Sequence, residues 1–380
     1  MRQVKIGCLL PVSGVMPSMS KDFKNGVELG LANDSGLEIE IIPELINQGQ
    51  IQNVSDAINK LCSYHDVDIL TGIVSSLAIR ELLDTINAKR IPFIFNNVGE
   101  YVPSKRIDSP YLFHNSLHLW RSQWAMGKWA QEQYGGTPAI CFSIYDGGYH
   151  LHEAFRIGTL AGGASTAQIN MLPLVPNQVD TSALIQLIEQ QKPAHVHAVL
   201  CGVDGKDFIK RYKEAGFLGK IPLTACPFLV EDGLTSDIED LVNNIPNSIS
   251  WSYTLKSMEN EAFIDVYEKS YIRKPSVFSV LGYESGLAII HALSTAEAES
   301  IALEKTLTDT RIRGPRGMVV LGNTSASDEV GVYFRKPYTE EKSPVNKVIS
   351  TLQSVNREDA QMALVAENGI SGWQNPYLCI

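Results

Sequence analysis

Apolar positions along the chain recur in two alternating rhythms. Short continuous runs of Val, Ile, Leu and Phe bounded by Gly, Pro, Asn or Ser read as buried strands. Longer stretches with apolar residues at i, i+3, i+4 and i+7 read as helices laid on a sheet. Residues 71–100, TGIVSSLAIRELLDTINAKRIPFIFNNVGE, carry both rhythms. A strand is expected at 68–74, a turn at Ser75-Ser76, and a helix whose buried stripe is Ile79, Leu82, Leu83 and Ile86. A second strand at 91–95 then ends in the polar turn Asn96-Asn97-Val98-Gly99-Glu100. Strands at 4–10 and 37–42, with helices at 20–33 and 53–64, come before this stretch, and a strand at 111–115 comes after it. Such alternation predicts right-handed βαβ units and a parallel sheet. Ligands collect at the carboxyl edge of such sheets, which is where both polar turns fall.

A long helix at 116–133 carries Trp120, Trp124 and Trp129, a spacing that suits packing. A second series follows, with strands at 138–144, 167–172, 195–202 and 221–226 and helices at 152–162, 181–191 and 205–215. The expected fold class is therefore α/β, two doubly wound parallel-sheet lobes in tandem, with a ligand site between them. Residues 249–253 (ISWSY) close the second series as a strand. Helices at 259–271 and 277–293 have no strands of their own and are expected to return to the first sheet. Strands at 316–321 and 330–334 are joined by a turn-rich loop, and 347–352 is strand-like before an irregular tail.

With 380 residues, the chain exceeds one ordinary core, which supports two domains. Apolar residues make up 44% and charged residues 19%, and no run approaches the roughly 18 apolar residues needed to span a bilayer. A net charge of −10 argues against a nucleic-acid partner. The opening MRQVKIGCLL enters the first strand with no charged and apolar leader, so the expectation is a cytoplasmic protein or a mature form with an added Met. Cys8, Cys62, Cys141 and Cys201 read as free buried thiols. The pairs His150/His152 and His195/His197 have metal-like spacing but no third ligand, so ordinary histidines are expected. No phosphate-binding or dinucleotide-binding glycine loop and no nucleophile elbow is present, so neither a cofactor nor an enzyme is expected.

Several stretches, in order and spacing, resemble the type 1 periplasmic-binding-protein fold in its branched-chain amino acid branch, the substrate-binding proteins of ABC transporters. They are VKIGCLLPVSG with KDFKNGVELGLA, TGIVSSLAIRELLDTINAKRIPFIFNN, ICFSIYDGGYHLHEAF, VDGKDFIKRYKEAGFLGKIPL and FSVLGYESGLAIIHAL. The resemblance covers residues 4–335. It implies one lobe of 1–117 plus 253–328 and a second of 118–252 plus 329–380. Three crossovers near 116–119, 251–253 and 323–330 would form the hinge of a clamshell that closes on ligand.

The resemblance also implies site residues. Ser75 and Ser76 match the turn that receives a ligand carboxylate, although one of them can equally be an N-cap. Asn97 and Gly99 match positions that hold the ligand's polar head. Gly99 stands where the family shows a hydroxyl, so the amide of Asn96 or Asn97 is the expected substitute. Tyr149 matches the aromatic that closes over the ligand, with Tyr145 and Asp146 in the same turn. Val203 and Asp204 fall near another ligand-facing position. The acid expected to pair with an α-ammonium falls near Pro227 or Phe228, where no carboxylate stands; Glu231 and Asp232 read as solvated surface acids. A buried ammonium needs a counter-charge. Either Asp146 or Asp204 supplies it, or the ligand is an organic acid, amide or urea-like compound. Met16 and Met19 are either an adaptable apolar wall or ordinary loop methionines. Arg121 stands where the family has an acid and is a candidate partner for an anionic ligand. The implied function is capture of a small amino acid, organic acid or amide and delivery to an ABC-transporter membrane permease, outside the cytoplasm and periplasmic or membrane-anchored. The alternative is a cytoplasmic or receptor-coupled sensor of the amide-sensing regulator type.

Overall fold

The computed structural model describes residues 3–32, 37–103, 109–144, 148–173, 178–231, 237–308, 310–321, 330–340, 343–356 and 359–367. The first sheet holds β1 (Val4–Leu10), β2 (Ile39–Leu45), β3 (Ile69–Ile73), β4 (Phe93–Asn97) and β5 (Leu112–Ser116), all parallel in the order β2-β1-β3-β4-β5. Every residue of β3 and β4 is buried, as expected of inner strands covered on both faces, whereas the edge strand β2 alternates with solvent. The connecting helices are α1 (Met19–Leu31), α2 (Ile51–Ser63), α3 (Ser76–Glu81) and α4 (Leu83–Lys89). α3 and α4 replace the single helix that the periodicity predicts. The chain bends at Leu82 (φ −99°, ψ 9°), and Ile79, Leu82 and Ile86 all remain in one core.

After β5 the chain leaves this sheet through α5 (Leu119–Tyr134) and builds a second parallel sheet. Its strands are β6 (Pro138–Ser143), β7 (Gln168–Leu172), β8 (His195–Val199) and β9 (Leu223–Ala225), in the order β7-β6-β8-β9. α6 (Leu151–Ala161), α7 (Ser182–Gln191) and α8 (Gly202–Glu214) connect them, and the short α9 (Glu239–Val242) precedes β10 (Asn247–Ile249). The chain then returns as α10 (Met258–Tyr271) and α11 (Val277–Glu299), and α11 lies along α1 over the first sheet. α11 thus returns to the first sheet, as expected, while α10 packs beside α1 and β11. α11 is long and apolar enough by length and composition to cross a membrane, but most of its residues are buried inside this lobe.

Both lobes use the same device to seat a helix pair. A Cβ on Gly26 of α1 would lie 2.1 Å from the Ser279 carbonyl oxygen, and one on Gly282 of α11 would lie 2.1 Å from that of Phe23. In the second lobe, a Cβ on Gly127 of α5 would meet the Phe155 carbonyl at 2.2 Å, and one on Gly158 of α6 that of Trp124 at 2.0 Å. Backbone touches backbone at both crossings, and only glycine permits that approach. Asp22 reinforces the first pair: buried on α1, it accepts from Ser18 and from Ser276, the N-cap of α11, and pairs with Arg273.

The remaining strands depart from expectation. After α12 (Leu303–Leu307), β11 (Thr310–Gly314) pairs antiparallel with β12 (Gly317–Leu321). β12 does not pair with β13 (Val332–Glu340), which instead lies between β10 and β14 (Ser343–Leu352) in an antiparallel sheet. β11 escaped the sequence pattern because TRIRG is short and puts arginines on its exposed positions. The strand expected at 249–253 ends at Ile249, and α13 (Ala360–Glu367) occupies part of the tail expected to be irregular. The third crossover, apart from Val330, and the last thirteen residues, 368–380, lie outside the described residues.

One buried ion pair ties these pieces together. Arg316, in the β11–β12 turn, binds Glu284 of α11 through Nε (3.0 and 3.1 Å) and Nη2 (2.5 Å). Its other hydrogens reach Asn115 Oδ1 (2.7 Å), the Ser116 carbonyl (2.6 Å) and Ser250 Oγ (3.4 Å). Ser250 in turn donates to the Leu117 carbonyl. The end of β5, the segment after β10, α11 and the β11–β12 hairpin therefore meet at one guanidinium. A second buried arginine, Arg335, binds Glu231 (2.7 Å), Asn247 Oδ1 and the Trp251 carbonyl, so Glu231 is a structural partner and not the solvated surface acid expected.

Two substitution sets test this packing. Gly→Ala in a helix commonly stabilises by about 0.4–1 kcal/mol, but Gly282→Ala and Gly158→Ala are expected to destabilise by about 1–3 kcal/mol, read as a lowered urea midpoint. Arg316→Met alone should cost about 3–5 kcal/mol by leaving a buried carboxylate unpaired. Adding Glu284→Leu should recover much of that loss in the same measurement.

Candidate functional site

The turn after β3 is built by its two serines. Ser75 is extended (φ −66°, ψ 148°), and its Oγ accepts from the Ala78 N–H at 3.2 Å, so the N-cap role is real. The next hydroxyl, Ser76 Oγ, accepts from Asn97 Nδ2 at 3.0 Å. α3 spans only six residues, so the helix dipole expected to favour an anion here is weak, and the hydroxyls matter more.

The two asparagines after it serve different structures, because successive strand residues face opposite sides. Asn96 is buried against α11. Its amide nitrogen donates to the Gly72 carbonyl (3.2 Å), and its Oδ1 accepts from Ser285 Oγ (2.8 Å). The expectation that Asn96 offers an amide to ligand is therefore corrected: its hydrogen-bonding groups are committed inside the fold. Asn97 lies towards α3, and its Oδ1 meets three donors: Gly99 N (3.0 Å), Ser116 Oγ (2.9 Å) and His114 Nε2 (2.9 Å). Gly99 explains its own departure from the family pattern. Its φ is +74°, and a Cβ there would lie 2.5 Å from His118 Cα, so a Ser or Thr would collide with the start of α5.

The two lobes meet around these turns. Tyr149, before α6, packs edge-on against Tyr101 at 5.7 Å between ring centroids, and Tyr101 also meets His150. His150 Nδ1 accepts from the Val102 N–H at 3.1 Å, and the His150 N–H donates to the Glu100 carbonyl at 2.9 Å. Phe228, in a 3-10 turn after β9, stands parallel to Phe278 in the first turn of α11, 6.4 Å between centroids. Sequence reasoning missed Phe278; no local signal marks it, since it is one of many apolar residues on a predominantly apolar helix. Met16, Met19, Tyr149, Cys226, Phe228 and Phe278 belong to one buried apolar cluster. The two methionines are thus buried, Met19 at the first position of α1.

Other expected residues fall elsewhere. Asp204 sits half-buried in the first turn of α8, and burial, followed by Asp207, raises its pKa. Gly202, which begins that helix, lies against Val15 of the loop after β1. Asp146 and Tyr145 lie outside the described residues, as does Asp232. The Arg121 guanidinium stacks on Trp120 at 5.3 Å, which holds it against α5.

The histidine pairs are woven into the second lobe. His197 stacks on Phe155 at 3.7 Å, and its ring nitrogens meet Thr224 Oγ1 (2.9 Å) and Gln123 Oε1 (2.7 Å). His195 bonds Gln131, and His152 stacks on Phe142. Among the described residues no three His, Cys, Asp or Glu side chains are grouped to hold a metal ion. Cys8, Cys62 and Cys141 are free, and burial pushes the thiols of Cys8 and Cys141 up to about 12.

Comparison with known proteins agrees with the fold. The family model described as periplasmic binding protein matches residues 3–332. A Leu/Ile/Val-binding protein homolog 6 of Brucella melitensis is 22% identical over 367 residues, covering 92% of each chain. Among solved structures, an ABC transporter substrate-binding protein from Sphaerobacter thermophilus superposes with a TM-score of 0.82 at 22% identity, covering 93% of this chain and 99% of that one. An ABC-transporter solute-binding protein from R. palustris, in complex with benzoate, superposes with a TM-score of 0.77 at 23% identity, covering 94% and 98%.

The buried histidines make stability depend on pH. Burial lowers His150 and His195 from 6.5 to about 4, and holds His197 well below 6.5. Below the ordinary histidine pKa the unfolded chain takes up protons that the folded chain refuses, so the contribution is complete above about pH 6.5 and is lost as pH falls towards about 4. Asp22 and Asp204, whose pKa values burial raises, work in the opposite sense but nearer the carboxylate range. The melting temperature is expected to decline between about pH 6.5 and 4.5, and His197→Gln should flatten that slope. A melting temperature constant across this range would contradict the assignment.

Proposed function

The chain belongs to the periplasmic binding protein family, and on that premise we propose that it is the solute-binding component of an ABC importer for a small, predominantly apolar carboxylic acid, an aromatic one first among them. Capture occurs between a lobe of 1–117 plus 253–328 and a lobe of 118–252 plus 329–380, outside the cytoplasm, and hinge closure presents the loaded form to a membrane permease.

The single observation that carries the choice of ligand is Phe228. It stands where an α-amino acid binder needs an acid, and it is packed parallel to Phe278 within the cluster that holds Tyr149, Met16 and Met19. Burial, followed by Asp207, raises the pKa of Asp204, so its charge is already disfavoured by its surroundings before it is offered to an ammonium. An apolar ring with no ammonium fits this wall; the carboxylate would lie at the Ser75 and Ser76 hydroxyls. The benzoate in the R. palustris protein is a ligand of this kind.

A thermal-shift panel of benzoate, 4-hydroxybenzoate, leucine and benzamide tests the proposal. A ligand at one hundred times its Kd adds about 2.7 kcal/mol of stability. An aromatic acid should raise the melting temperature while leucine does not, and Ser76→Ala with Tyr149→Ala should remove the response. The shift is read from the variant's own unliganded melting temperature, which loss of the buried Tyr149 ring lowers. Stabilisation by leucine alone would sink the choice of ligand.

A further inference from the structure

Asn97 is fully buried, and its amide orientation is dictated by a group that can only donate. The Gly99 backbone N–H points at one terminal atom of the side chain at 3.0 Å, so that atom is the oxygen. Ser116 Oγ also donates to it, while accepting the His118 N–H, and His114 Nε2 therefore carries the hydrogen in its own contact. The other terminal atom is then the amide nitrogen, and it donates to Ser76 Oγ at 3.0 Å. A hydroxyl that accepts on that side turns its own hydrogen away from Asn97, and no acceptor for it stands among the described residues. The Ser75 hydroxyl is fixed in the same sense by the Ala78 N–H.

We propose that Asn97 is a positioning residue that locks the Ser76 hydroxyl as a donor, so that the paired hydroxyls of Ser75 and Ser76 select a carboxylate over the corresponding primary amide. This rests on the placement of Ser76 at the ligand, proposed above, and narrows its ligand. A carboxylate offers an acceptor to each hydroxyl. A primary amide offers one acceptor and one donor, and a Ser76 hydroxyl that turned its remaining lone pair to that donor would leave its own hydrogen without an acceptor among the described residues. A mismatch of this kind leaves polar groups unpaired in a desolvated site, the most discriminating situation available to a binding pocket. The helix dipole plays no part in the selection.

Asn97→Asp inverts the polarity with almost no change of shape. One carboxylate oxygen keeps the Gly99, Ser116 and His114 donors, and the other accepts the Ser76 hydrogen, leaving lone pairs towards the ligand. Binding of benzoate and benzamide is measured by calorimetry for the parent, Asn97→Asp, Ser76→Ala and the double variant, with the unliganded melting temperature as the check on folding. The benzoate-to-benzamide affinity ratio is expected to fall by about tenfold or more in Asn97→Asp, and the aspartate should shift it far less in the Ser76→Ala background. A plain charge repulsion would lower the ratio equally in both backgrounds and would overturn the inference, as would an unchanged ratio. Should the aspartate variant not fold, Asn97→Ala serves: it frees the hydroxyl to rotate, and discrimination should shrink; an unchanged ratio counts against the inference. If Ser76→Ala alone leaves benzoate affinity intact, the placement of the ligand fails. If it weakens benzoate while Asn97→Asp keeps the parent ratio, only the role of Asn97 fails. A parent that binds no aromatic acid overturns both.

Discussion

The Arg316–Glu284 pair is the constraint on which the rest of the architecture depends. Two opposite charges buried to this degree hold only if their remaining hydrogen-bonding positions are also filled. Here the guanidinium fills them with the end of β5 and with the segment that follows β10. Those two segments carry the chain between the lobes, so the crossovers are pinned to α11 and to each other at one point. α11 is in turn fixed along α1 by glycines that bring the two backbones into contact. With the crossovers anchored in this way, the carboxyl ends of the two sheets are brought opposite one another.

The site follows from that juxtaposition and from the period of two along a strand. Asn96 and Asn97 are neighbours in sequence, but β4 turns one towards α11 and the other towards α3. The first becomes mortar for the core and the second a hub for the serine turn. Gly99 then takes the chain into contact with His118, which is why a hydroxyl side chain is absent where relatives of this fold are expected to use one. Across the interface, Phe228 presents its aromatic face to Phe278. The serine turn supplies hydroxyls at one sheet edge, and Tyr149, Phe228 and Phe278 share one buried apolar cluster.

Much of the fold was legible in the chain because strand and helix periods are local properties. β1, the buried face of α2 (Val54, Ala57, Ile58 and Leu61), and both parallel sheets follow from runs and spacings within about a dozen residues. The antiparallel pairings were not legible. β12 and β13 look like neighbours along the chain, yet β13 pairs with β10, some eighty residues earlier, while β12 takes β11. The same limit applies to side chains: Glu231 looked like a surface acid because its partner Arg335 is 104 positions away.

The sequence by itself determined the class of fold, the order of its elements, the place of the serine and asparagine turns at a sheet edge, and the lack of an acid at the position of Phe228. Each is a statement about residue type and local spacing, which backbone geometry converts directly into strand, helix or turn. Only the tertiary structure decided which asparagine is structural, why position 99 is glycine, that Phe278 faces Phe228, and that Arg316 closes the crossovers on Glu284. Those outcomes depend on which distant backbone or side chain arrives within hydrogen-bonding or van der Waals distance. Hydrogen bonds and close contacts act over a few ångströms of space, whatever the separation along the chain.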